Sequence, residues 1–134
     1  MTPWTVERLR NGLFVVFLLL FDQLSKFLIL SLFPQIVVYN KGIAFGFLAS
    51  EWWIVINFFI LGAIACLIKR KLPAGLIISG GISNILDRLF RGAVVDFIDL
   101  KIFPIFNFAD VFICLGVGIM LLLFYGRTKD YFSR

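Results

Sequence analysis

The sequence predicts an all-α membrane protein: four transmembrane helices with both termini cytoplasmic, plus a small extracytoplasmic β-hairpin and loop region. Three observations lead there. The 134 residues are 61% hydrophobic with 17 Phe, and a mean hydropathy of +1.01 lies far above that of soluble domains. Four stretches, 13–33, 52–68, 72–89 and 110–126, are long and poor in charge, and about 20 helical residues cross a hydrocarbon core about 30 Å thick. The basic residues then segregate. Arg8 and Arg10, Lys69 to Lys71, and Arg127, Lys129 and Arg134 share one side only if four spans leave both ends inside. The chain 1–134 is expected to form a single integral membrane domain.

The first span is too long for a signal-peptide core, and no small-residue cleavage site follows it, so it is expected to be retained. It carries Asp22 and Lys26, four apart and therefore on one face, where they can pair. Beyond it, "QIVVYNKGIAFGFL" reads as two β-prone runs around Asn40-Lys41-Gly42, predicting a hairpin in the first outer loop. Trp52 and Trp53 open the second span at the outer interface, with Trp4 and Tyr125 near the inner one. In the third span Gly80, Gly81, Asn84, Asp87 and Arg88 recur at helical spacing, a small and polar stripe that neighbouring helices could approach closely. Asp87 with Arg88 could form an ion pair there. The second outer loop, "GAVVDFIDLKIF", places Asp96 in line with Val94, Ile98 and Ile102, with Asp99 and Lys101 facing the other way. Asn107 and Asp110 bracket the start of the fourth span as an N-cap and a capping-box-like acidic residue at the positive end of the helix dipole.

Several chemistries drop out. With no His in the chain, His-based general-base, triad and zinc chemistry is removed. Cys66 and Cys114 fall inside spans, where a thiol acts as a small apolar side chain. The net charge of +5 is mostly membrane topology, so nucleic acid is not an expected partner. What remains is carboxylates. By rise along the helix, Asp87 and Asp110 lie roughly 5 Å below the outer edge of the hydrocarbon core. Pro104 breaks the segment between Asp96 and Asp110 and leaves enough chain for the two to meet. Two carboxyls a few ångströms apart hold one proton between them, so one can activate water while the other polarises a carbonyl.

Four ordered motifs carry a resemblance: "DQLSK" (Asp22–Lys26), "NKGIAFG" (Asn40–Gly46), "GGISNILDRLFRGAVVDFID" (Gly80–Asp99) and "FNFADVFI" (Phe106–Ile113). Together they are similar to the lipoprotein signal peptidases (signal peptidase II), four-helix bacterial membrane aspartyl proteases. The resemblance implies that Asp96 and Asp110 form the catalytic dyad and that Asn84, Asp87, Arg88 and Asn107 surround it. It also implies that Asn40, Gly42 and Ala44 belong to a loop that cradles substrate. Asp22 and Lys26 match the first-helix box, read here as a bundle-stabilising pair. The implied reaction removes the signal peptide from a prolipoprotein just before a diacylglyceryl-modified cysteine, with no metal or cofactor, and is blocked by the cyclic peptide globomycin. The implied partners are lipid-modified prolipoprotein signal peptides and membrane lipids. The implied location is the bacterial cell (inner) membrane, with the site toward the extracytoplasmic face. Ser83 departs from the family, which often has Gly there.

Two other classes compete. A metal-dependent membrane lipid phosphotransferase would use Asp87, Asp96, Asp99 and Asp110 for a divalent cation, but only Lys41, Arg88, Arg91 and Lys101 would lie outside to bind phosphates. A small non-catalytic channel or transporter would use the intramembrane charges as an ion path, but four short spans lack an inverted repeat.

Overall fold

The computed structural model describes residues 2–41 and 71–132, with side chains described as far as residue 126. The expected second span, with Cys66, Trp52 and Trp53, and the loop positions Gly42 and Ala44 lie outside the described residues. Within them the order is α1 (Pro3–Leu32), a 3-10 turn (Pro34–Ile36), β1 (Val38–Asn40), α2 (Lys71–Arg91), β2 (Val94–Asp96) and α3 (Phe108–Phe132). Two stretches, Pro3–Leu32 and Phe108–Gly126, are long and apolar enough to cross a membrane.

Helix α1 begins at Pro3 rather than near Leu13. Thr2 is its N-cap, accepting from the Thr5 amide, and Pro3 occupies the first turn, where a missing N–H costs nothing. The helix ends where Pro34 forces the preceding residue out of helical geometry. Its 30 residues span about 45 Å. The buried positions, Leu18, Asp22 and Lys26, recur every fourth residue and form one narrow stripe, while Phe17, Leu20, Leu24 and Phe27 point outward.

Helix α2 is the buried one. Ser79, Gly80, Gly81, Ser83, Asn84 and Asp87 are all covered, packed between α1 and α3. The contact with α3 is backbone-close: a Cβ on Gly80 would collide with the Ala109 carbonyl, and one on Gly116 would lie 2.8 Å from the Pro73 carbonyl. Gly92, at φ 75°, ends α2, with its N–H bonded to the Arg88 carbonyl at 3.1 Å. This left-handed stop turns the chain directly into β2.

The small sheet differs from the local hairpin read from the sequence. β1 pairs antiparallel with β2, Val38 opposite Asp96 and Asn40 opposite Val94; the second arm of the expected hairpin lies outside the described residues. Nor does β2 alternate, because Val94, Val95 and Asp96 are all buried. The end of α2 covers its other face, and the Val95 amide donates to Asp87 at 3.2 Å. The alignment of Asp96 with Ile102 also fails. The chain reverses at Lys101, at φ 65°, and Ile102 is exposed.

Candidate active site

Four carboxylates meet between the helices and β2, and they fall into two groups. Asp22, Asp87 and Lys26 are completely buried. The Lys26 ammonium lies 2.6 Å from Asp22 Oδ2, 2.7 Å from Asp87 Oδ2 and 3.2 Å from Asn84 Oδ1, one acceptor for each of its three N–H groups. Arg91, one turn below Asp87, pairs with its other oxygen, so two cations balance two anions. Asp22 Oδ1 accepts from the Ala109 amide at 2.8 Å, so a side chain of α1 caps the start of α3. Ser83 donates to Asp22 at 2.6 Å, and Gln23 donates to Asp87 at 2.9 Å and to Ser83 at 2.8 Å. A buried ion pair is tolerated only when its remaining lone pairs and protons are satisfied in this way.

Asp96 and Asp110 form the second group. Two backbone bridges between Ile98 and Phe106 close the intervening loop and bring Asn107 back beside β2. Edge-on packing of Phe97 against Phe108, centroids 5.7 Å apart, ties β2 to the first turn of α3. Asn107 caps α3, accepting from the Asp110 amide at 3.0 Å, while Asp110 Oδ2 accepts from the Asn107 amide at 3.2 Å. The Asn107 side-chain amide donates to Asp96 Oδ1 at 2.6 Å, and Asn40, diagonal across the strand pair, donates to Asp96 Oδ2 at 3.1 Å. Asn84 donates to Asp110 Oδ1 at 2.9 Å. Each of the four oxygens thus accepts one amide N–H, and among the described residues neither carboxylate is in an ion pair. Both line one cavity of about 750 Å³ whose other walls, Asn40 apart, are mostly apolar, including Leu100, Phe103, Ile105, Val111 and Leu115.

A family model for signal peptidase (SPase) II matches residues 14–126. The chain belongs to the signal peptidase II family. Its members are hydrolases that remove signal peptides from prolipoproteins, which displaces the phosphotransferase and channel readings. The chain is 37% identical over 139 residues to the lipoprotein signal peptidase of Shouchella clausii, covering 84% of this chain and 92% of that one. It is 37% identical over 131 residues to that of Moorella thermoacetica, covering 81% and 87%. It is also similar to a solved bacterial membrane enzyme, with a TM-score of 0.78 and 29% identity over 90% of each chain. Family and apolar helices together make this a membrane protein.

Within this signal peptidase II chain the expected site residues are partly brought together. Asn40, Asn84, Asp96, Asn107 and Asp110 converge through the bonds above. Arg88 is half-buried, donates to the Asn84 carbonyl at 3.3 Å and lies in the field of Asp110, Asp96 and Asp87. It is not the ion-pair partner of Asp87; that place is taken by Lys26 and Arg91. The four aspartates of the phosphotransferase reading do not converge either. Asp87 is occupied in the ion cluster, and Asp99 sits on the surface, paired at 2.5 Å with Lys101, which holds its carboxyl below the usual range. Sequence reasoning missed Gln23, Ser83 and Arg91. Ser83 lies on the same stripe as Gly80 and Asp87, and Arg91 is four residues from Asp87, so helical spacing was the available signal.

Proposed function

We propose that Asp96 and Asp110 are the catalytic pair of an aspartyl endopeptidase that cuts diacylglyceryl-modified prolipoproteins just before the lipidated cysteine. The observation that carries this is the contrast in compensation: among the described residues these two carboxyls are held only by amides, at the wall of a mostly apolar cavity. Burial pushes the Asp96 carboxyl up to about 6, against the pull of its bonds from Asn40 and Asn107, and the neighbouring charge of Asp110 adds to the rise. One proton shared by the pair leaves an ionised partner to take a proton from water as it attacks the scissile carbonyl. The protonated partner polarises the carbonyl oxygen, and the assignment of the proton belongs to the pair.

The remaining expected features form part of the same reading. Arg88 and Asn40, with Gly42 and Ala44, are assigned to substrate binding, and the apolar walls to acyl and signal-peptide side chains. The chain 1–134 is taken as one integral domain of four spans in the bacterial inner membrane, with both termini cytoplasmic and the pair toward the extracytoplasmic face. A globomycin-like cyclic peptide would occupy the same cavity. Asp96→Asn and Asp110→Asn should each fold, bind a lipid-modified precursor and lose cleavage by about 10³-fold or more, measured in detergent containing a chelator. Normal processing by either variant removes the pair from the mechanism.

A further inference from the structure

The buried cation of the ion cluster touches neither Asp96 nor Asp110, yet it is hydrogen-bonded to Asn84, which holds Asp110, and through Asn84 it is linked to Asn107, which holds Asp96. Lys26 Nζ has no lone pair, so the end of the Asn84 side chain that faces it at 3.2 Å must be the oxygen. The NH₂ end is thereby turned to Asp110 Oδ1 at 2.9 Å. The same Asn84 oxygen accepts from Asn107 Nδ2 at 3.3 Å, and that NH₂ group also donates to Asp96 Oδ1 at 2.6 Å. Without the cation, the two ends of the Asn84 amide are close to isosteric, and the flipped form would set a carbonyl oxygen against the Asp110 carboxylate. The orientation of Asn107 has its own anchor, because its oxygen accepts from the Asp110 amide. Among the described residues, the Asn84 oxygen is held by Lys26 and the Asn107 NH₂, while its NH₂ has the Asp110 carboxyl as its partner.

We propose that Lys26 is a positioning residue of the site: it fixes the Asn84 amide so that its NH₂ holds Asp110 and its oxygen holds Asn107 against Asp96. Asp22 and Asp87 serve this arrangement by pinning the ammonium from two other sides, and Arg91 offsets the second carboxylate. The cluster read from the sequence as a bundle-stabilising pair thus also sets the geometry of the carboxyls it does not contact. This inference rests on the assignment of Asp96 and Asp110 as the reacting pair.

A double-mutant cycle on the full chain separates positioning from stability. Lys26→Arg keeps the charge, but its planar fork cannot place three N–H groups on three converging acceptors. It should lower kcat on a lipid-modified precursor peptide by about 10- to 100-fold, the scale of a small misplacement of reacting groups, with KM little changed. On an Asn84→Ala background the same substitution should change kcat by less than about 3-fold, because the group it acts through is gone. Equal losses of kcat in both backgrounds would overturn the proposal, as would unchanged kcat in folded Lys26→Arg. Should Lys26→Arg not fold, Asn84→Asp decides. It can accept from Lys26 and Asn107 but, ionised, cannot donate to Asp110, so it should remain folded and lose about 100-fold in kcat; wild-type kcat there would equally overturn the proposal. An active Asp110→Asn variant would instead mark failure of the underlying catalytic assignment.

Discussion

Asp22 and Asp87 on one side, and Asp96 and Asp110 on the other, are the same residue type buried within the same small volume, yet they are made chemically different. The first two are in contact with Lys26 and Arg91 and accept further bonds from Ser83, Gln23 and two backbone amides. Their charge is compensated in place by partners on every side. The second two receive one neutral amide donor per oxygen and face a cavity. Amide donors orient a carboxyl without neutralising it, so the pair can still gain and lose a proton. The difference separates a fixed charge frame from a reactive centre.

The largest effect is expected from breaking the frame. Lys26→Met would leave Asp22 and Asp87 buried with Arg91 as their remaining cation, and removing one partner of a buried pair costs about 3–5 kcal/mol. Thermal unfolding in detergent should show this loss, whereas Asp110→Asn should unfold near the wild-type temperature. A wild-type melting temperature for Lys26→Met would mean that the two groups of carboxylates are not energetically distinct.

A second substitution strikes both groups at once. Gly80 packs directly beneath Ala109, whose carbonyl and Ile113 would collide with any added Cβ, and whose amide is the one held by Asp22. Gly80→Ala must therefore push away the first turn of α3, which carries Asp110. Overpacking of this kind costs about 1–3 kcal/mol. Cleavage should fall by more than the fraction unfolded, because Asp110 moves relative to Asp96. Full specific activity per folded molecule would show that the pair tolerates displacement.

The elements were legible to different depths, for identifiable reasons. Local signals survived folding: the apolar run of α1, the Asn107–Asp110 capping box, and the Asp22–Lys26 face all depend on residues a turn or less apart. The pairing of β1 with β2 was not legible, since strands of three residues carry too little alternation to name a partner. The partners of Asp87 were missed for a related reason. Its nearest sequence cation, Arg88, donates instead to the Asn84 carbonyl, while Lys26 reaches it from another helix. Ser83 looked like an irregularity in a glycine position because its acceptor, Asp22, lies 61 residues away. Short-range chemistry could be read along the chain, but the division of four carboxylates into two groups exists only after α1, α2 and β2 have packed.

The smallest expected effect tests that division through pH. The Asp96 carboxyl is raised from an ordinary 3.8 to about 6 in the folded protein, so the folded state binds its proton more tightly than the unfolded chain does. Its favourable contribution is complete below about pH 4 and is lost as pH rises through about 6. Asp96→Asn carries no such titration. Its stability relative to wild type should therefore grow by about 1–2 kcal/mol between pH 4 and pH 8, less than the full shift would give, because the open cavity screens the charge. Denaturation of Asp96→Asn and of the wild type across that range checks the sign, and parallel pH dependences of the two would mean that burial does not hold the Asp96 carboxyl up.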